Sequence, residues 1–182
     1  MNILALDLGT TTGWAYRDPA TGRLVASSTE LMTKREIAAQ AKIRMDRRQD
    51  GRILRFWERL NQFFRAYPVD WLVFEDVQFA KSRMQAHLWA SFRTTVWLFA
   101  AERGLKVECL STDRLKLFAT GSGIATKELM AAWLPRKCSE VRFFDNALRL
   151  VDGNEILDDN AVDAAHLLLW SESVLKHEPT KT

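Results

Sequence analysis

Only two of the 182 residues are cysteine, and neither Cys109 nor Cys138 has a neighbour at a metal-ligand spacing. The chain therefore offers no zinc ribbon and no disulfide framework. It also lacks an apolar run long enough to cross a bilayer. The longest stretches, such as "LWASFRTTVWLFAA", are interrupted by Arg93 and by polar residues, so no membrane partner is expected. There is no internal repeat, no low-complexity tract and no secretory leader, which makes a reducing, cytoplasmic setting the expectation. Neither sign of charge is in large excess. A net charge of +3 is compatible with a polyanionic partner without requiring one. What is abundant is apolar material: 47% of residues are hydrophobic, with seven tryptophans and ten phenylalanines. That suffices for one core in a chain of one-domain length, so a single domain is expected over residues 1–176, with a loose tail at 177–182.

The order of patterned segments is β-β-β-α-β-α-β-α-α. "NILALDL", "GWAYRD" and "RLVASSTEL" read as three strands of a meander, with "DPATG" as the turn between the last two. From Gly51 to Ala66 apolar residues recur at helical spacing, ended by Tyr67 and Pro68. "VDWLVFEDV" is a compact strand, and the helix after it, about Met84 to Arg103, stops at Gly104. "LKVECLS" is a fifth strand. Ser111 or Thr112 can cap a short helix, and Thr126 caps another with Glu128 in its first turn. The last helix lies in "LDDNAVDAAHLLLWSESVLK", while residues 136–155 carry no clear pattern. A meander followed by β-α-β units predicts an α/β fold with a mixed five-stranded sheet, antiparallel and parallel, flanked by helices.

Three carboxylates interrupt apolar surroundings: Asp7 in "LALDLG", Glu75 in "WLVFED" and Asp163 in "NAVDAAHLLL". Burying an unpaired carboxylate is costly, so such groups are hydrogen-bonded, ion-paired or metal-bound. Each alone has an ordinary reading: Asp7 as a turn cap, Glu75 as a lysine's partner, and Asp158 to Asp163 as a solvated helix start. Together, in strand, strand, late-helix order, they form a hard-oxygen set suited to magnesium or manganese. On the last helix Asp159 and Asp163 share a face, as do Asn160 and Asp163.

The opening "DLGTTTG" admits two chemistries. It resembles the first phosphate loop of the actin and sugar-kinase ATPases, but those have two duplicated domains and a second phosphate loop, for which this chain has no room. The alternative is a magnesium ligand of a nuclease.

The chain resembles the RuvC-type Holliday junction resolvases of the ribonuclease H-like superfamily. The resemblance rests on "ILALDLGTTTGWA", "WLVFEDVQFAKS", "DRLKLFATGSGIATKELM" and "DDNAVDAAHLL", in matched order over nearly the whole chain. Its compact length is nearer to phage-encoded relatives. The resemblance implies a ribonuclease H-like fold and metal-dependent phosphodiester hydrolysis, using Mg2+ or Mn2+, two ions per site. It places the family's metal ligands on Asp7, Glu75 and Asp163. The first aspartate of the family's "DxxDA" motif falls on Asn160, so the adjacent Asp159 is expected to supply the fourth ligand, with the Asn160 carbonyl as the alternative. The family's lysines near the scissile phosphate correspond to Lys116 and Lys127, the latter counted among the catalytic residues. Its DNA-wedging aromatic has no direct match, with Gln78 at the position and Phe79 beside it.

The implied substrate is four-way DNA, nicked in opposing strands by a homodimer. Alternatives are a nuclease for flaps and forks, and a non-catalytic DNA-binding module of the same fold. Lys81, Arg83 and Phe79 follow Glu75 and are expected to touch DNA. The basic stretch "KREIAAQAKIRMDRRQDGR", including Arg47 and Arg48, is read either as a phosphate-binding patch or as a solvated face. Trp57, Trp89, Trp97 and Trp170 read as core or subunit interface, and His166 as a helix-face residue, with a supporting role behind a ligand as the alternative. No segment identifies a helicase partner.

Overall fold

Strand β1 (Ile3–Asp7) leads into β2 (Thr11–Arg17) and β3 (Leu24–Glu30) as an antiparallel meander. The computed structural model, which describes residues 1–43, 49–77, 82–143, 148–151 and 154–175, continues with α1 (Lys34–Ala41) and α2 (Gly51–Ala66). Then come β4 (Trp71–Asp76), α3 (Arg83–Arg103) and β5 (Lys106–Ser111). The chain goes on through α4 (Thr112–Thr120), α5 (Lys127–Lys137), β6 (Arg142–Phe143), β7 (Leu148–Val151), β8 (Asn154–Leu157) and α6 (Asp159–Leu175). β4 lies parallel to β1, and β5 parallel to β4, giving the order β5-β4-β1-β2-β3-β6.

The sheet thus has six strands among the described residues rather than the expected five. The addition, β6, is two residues long and pairs in parallel with Val25 and Ala26 of β3, too short to leave a readable period. The unpatterned stretch also contains the β7–β8 hairpin. In the basic stretch, Thr33 and Glu36 form a reciprocal capping box that starts α1. Arg47, Arg48, Phe79, Lys81 and the 177–182 tail lie outside the described residues.

Alternation along the strands decides what faces what. Leu4 and Leu6 of β1, and Leu72 and Phe74 of β4, pack with Phe56 and Leu60 of α2 and with Phe92, Val96 and Phe99 of α3. Their neighbours Ile3, Ala5 and Val73 point the other way, into a second core with α4, α5 and α6. Asp7 and Glu75 continue that second series at the strand ends. The α6 side is lined by small residues, Ala5, Ala15 and Ala26, all fully buried in one cluster with Ala164 and Ala165. Small side chains on both surfaces let helix and sheet approach closely, and α6 is buried around most of its circumference. No helix among the described residues is long and apolar enough to cross a membrane.

Trp57 and Trp89 pack against the α2/α3 core and Trp170 against the α6 core, whereas Trp97 is exposed. Arg103 stacks 3.8 Å from the Phe99 ring centroid, and its guanidinium donates to Asn61.

Candidate metal centre

Asp7 ends β1 and Glu75 is the penultimate residue of the adjacent parallel β4, and Asp163 descends on them from the second turn of α6. Each offers a carboxylate oxygen, and the three oxygens lie within 4.8 Å of one another. Glu75 is buried, while Asp7 and Asp163 are partly exposed at the mouth of the site. Asp76, next along β4, projects to the opposite face and is paired with Arg93 at 3.1 Å, so strand alternation separates the two adjacent acids.

The cluster is electrostatically unfavourable by itself. Burial pushes the Asp7 carboxyl well above its ordinary pKa, and the charges of Glu75, Asp163 and Asp158 push it further. Asp163 is raised to about 7, first by burial and then by Glu75. Burial also raises Glu75, against a hydrogen bond from Thr112 and the charges of Lys116 and Lys127. Among the described residues none of the three makes a salt bridge. Three crowded carboxylates in a hard-oxygen set, without an ion-paired partner, fit a divalent cation of the magnesium or manganese kind.

Lys127 opens α5, capped by the Thr126 side chain, and Lys116 lies on α4. Lys127 lowers the pKa of all three acids, so its charge faces the cluster, while Lys116 acts on Glu75 and Asp163. Asp159 is not part of the three-carboxylate group; its carboxylate is in contact with the Lys127 ammonium. The side-chain amide and backbone N–H of Asn160 both donate to Oδ1 of Asp158. Arg83, at the start of α3, donates to His87. The expected site residues thus divide: Asp7, Glu75 and Asp163 converge, Lys116 and Lys127 flank them, and Asp159 contacts Lys127.

Three further residues support the cluster. Asp158, 1% exposed, caps α6 from inside the protein rather than in solvent, accepting from the Asn160 N–H. Thr112, a candidate cap on sequence grounds, bonds Glu75. His166 is fully buried, its Nε2 lying 2.9 Å from the Met130 carbonyl of α5. A carbonyl only accepts, so Nε2 carries the proton of the neutral ring. Burial lowers the pKa of that ring. Its place one turn after Asp163 on an apolar helix is the sequence signal for that role.

The hairpin beside Asp7 is tight: the Thr12 hydroxyl donates 2.8 Å to the Gly9 carbonyl. Gly13 pairs with Asp7 across it. A Cβ on Gly13 would fall 1.9 Å from the Asn160 carbonyl oxygen, so the first turn of α6 rests on that glycine.

No curated protein matches this chain. Solved structures do share its architecture. Thermus thermophilus RuvC in complex with Holliday junction substrate is 18% identical, over 93% of this chain and 91% of that one, with a TM-score of 0.64. A second Thermus thermophilus RuvC structure is 19% identical over 95% and 96%, at 0.58. The yeast mitochondrial Holliday junction resolvase Ydc2 is 14% identical over 96% and 80%, at 0.60. These likenesses establish the ribonuclease H-like architecture. The family model described as crossover junction endodeoxyribonuclease RuvC matches residues 20–136, a span that contains Glu75, Lys116 and Lys127. Asp7 and Asp163 lie outside that span and are joined to Glu75 by the fold itself. On a match of this extent, the chain belongs to the RuvC family of crossover junction endodeoxyribonucleases.

Proposed function

We propose that the protein is a divalent-metal-dependent endonuclease that resolves four-way DNA junctions by hydrolysing phosphodiesters in opposing strands. The observation that carries this reading is the convergence of Asp7, Glu75 and Asp163 from three separate elements to within 4.8 Å. Asp7, Glu75 and Asp163 would hold Mg2+ or Mn2+, two ions per site. Bound there, the ions supply charge neutralisation to an anionic phosphodiester and lower the pKa of water. Lys127 and Lys116 place positive charge beside the same point, where it opposes the negative charge that develops on the phosphoryl oxygens. Thr112 orients Glu75 by hydrogen bonding to its carboxylate.

The catalytic unit proposed spans residues 1–176, and it works in the cytoplasm as a homodimer. Opposing strands of a four-way junction are related by a two-fold axis, so two equivalent cuts call for two sites with the same symmetry. Lys116, Lys127, Arg83 and the basic residues Lys81, Arg47 and Arg48, together with Phe79, are proposed to contact DNA.

The test incubates purified protein with end-labelled four-way junction, fork, flap and linear duplex, with and without Mg2+, beside Asp7→Asn. Paired nicks in the junction alone, dependent on metal and lost in the variant, are the expected result. Equal cutting of flaps and forks would widen the substrate, and binding without cutting would identify a non-catalytic junction-binding module. Cleavage by Asp7→Asn at the wild-type rate would overturn the catalytic assignment.

A further inference from the structure

The close contact between Gly13 and α6 has a geometric consequence for the carboxylates. Gly13 faces Asp7 across β1 and β2, and a Cβ there would lie 1.9 Å from the oxygen, 2.4 Å from the carbon and 3.1 Å from the Cα of Asn160. All three are backbone atoms, so no side chain can swing aside. Gly13 is not among the glycines with positive φ, which makes the requirement one of space rather than of backbone conformation.

Asn160 lies in the first turn of α6, and Asp163 follows three residues later on the same side. The helix cannot easily slide away along the sheet. Its first turn is pinned by the Asp158 carboxylate on the Asn160 amide, and its middle by His166 on Met130. Further along, the Arg17 guanidinium of β2 donates twice to Glu172, each at 2.6 Å. Restoring ordinary contact over a Cβ at position 13 would therefore lift the first turn by roughly 1.5 Å. That movement carries Asp163 away from Asp7 and Glu75.

We propose that Gly13 is a positioning residue that sets the gap between Asp163 and the two strand carboxylates, and through that gap the preference for a small divalent ion over a large one. The inference rests on the reading of Asp7, Glu75 and Asp163 as metal ligands. Mg2+ needs oxygens at about 2.0–2.1 Å in near-ideal octahedral geometry, whereas Ca2+ accepts about 2.3–2.6 Å with irregular coordination. A helix seated directly on the Gly13 backbone favours the first, and lifting it by the thickness of a Cβ removes the advantage.

The experiment titrates metal-free wild type, Gly13→Ala and Glu172→Ala with Mg2+ and, separately, Ca2+ by calorimetry without DNA, alongside thermal melts. For Gly13→Ala, Mg2+ affinity is expected to fall about 10- to 100-fold, the range for residues that orient ligands from behind, while Ca2+ affinity falls several-fold less. Glu172→Ala, which loosens the far end of α6, lowers the melting temperature and leaves the ratio of the two affinities unchanged. Adding Asp163→Glu to Gly13→Ala, one methylene longer, recovers part of the Mg2+ affinity. An equal loss for both ions, no loss, or the same ratio shift in Glu172→Ala overturns the proposal. If Gly13→Ala does not fold, Asp158→Ala unpins the same turn with nothing added at position 13, and an unchanged ratio there overturns it too. Failure of wild type to bind either ion is a different result: it removes the metal-site reading itself, and this inference with it.

Discussion

Lys127 is ion-paired with Asp159 while its charge is directed at Asp7, Glu75 and Asp163. One acid at the head of α6 therefore holds the cation, and the next acid on that face joins the anionic cluster. The two aspartates should respond differently to mutation. Asp163→Ala removes one of three converging carboxylates, and metal affinity and cleavage should each fall at least about 100-fold. Asp159→Ala breaks a pair in which the lysine is 69% exposed, so stability should change by less than about 1 kcal/mol. Metal affinity should stay within about threefold, while the cleavage rate at saturating Mg2+ should drop about tenfold as Lys127 loses its support. Calorimetry on both variants, with single-turnover cleavage, separates the roles. A metal affinity lost equally in both would make Asp159 a ligand.

The raised carboxylates predict a pH dependence of a definite sign. Asp163 goes from an ordinary value of 3.8 to about 7 in the folded protein, so between those values the native state holds a proton that the unfolded chain releases. Stability then falls as pH rises through that window and levels off above it. Asp7 and Glu75, raised in the same direction, add to the slope. Asp163→Asn carries no charge at that position. In metal-free protein its melting temperature should exceed that of wild type by a margin that grows from pH 4 to pH 7. Added Mg2+ should erase the margin most strongly at pH 8, where the Asp163 carboxylate is ionised. A margin independent of pH would show that the cluster is not the source.

His166 bridges two elements that carry site residues: Met130 lies one turn beyond Lys127, and His166 one turn beyond Asp163. Replacing it with phenylalanine keeps ring volume but leaves the Met130 carbonyl without this donor. A loss of about 1–3 kcal/mol is expected in urea denaturation at pH 8. The folded pKa of His166 lies below its ordinary 6.5, so its contribution is complete above that value and is lost as pH falls through it. The gap between wild type and variant should therefore narrow below pH 6.5. A gap that widens there would mean the ring is charged when folded.

Much of this arrangement was readable from residue order, for a physical reason. Asp7 and Glu75 stand out because strand alternation makes a carboxylate in "LALD" or "VFED" conspicuous, and Asp163 because "NAVDAAHLLL" has few other polar groups. The meander and most helices followed from periodicity and caps. What escaped were contacts between distant segments. Nothing local says that Gly13 is a seat for Asn160, since a glycine after three threonines reads as a turn. Asp158 and Asp159 look interchangeable in "LDDNAVD", yet the helix start turns one inward and the other toward Lys127. Strand β6 was invisible because two residues have no period.

The outer face of α3 carries the last prediction. Phe92, Thr95, Val96, Phe99 and Ala100 bury one side of the helix. On the opposite side Ala90, Thr94, Trp97 and Ala101 recur at helical spacing without a charge, with Leu98 beside them, 62% exposed. An uncharged stripe of that length on one helix suits antiparallel packing on its own copy, which would set two metal centres about a two-fold axis. Leu98→Glu and Trp97→Glu introduce a charge that such an interface would have to desolvate without a partner. Sedimentation equilibrium should show wild-type dimer and variant monomer, with melting temperatures little changed because neither side chain is in the core. The monomeric variants should bind Mg2+ normally and nick junctions singly rather than in pairs. Dimers that persist in both variants would place the two-fold contact elsewhere on the molecule.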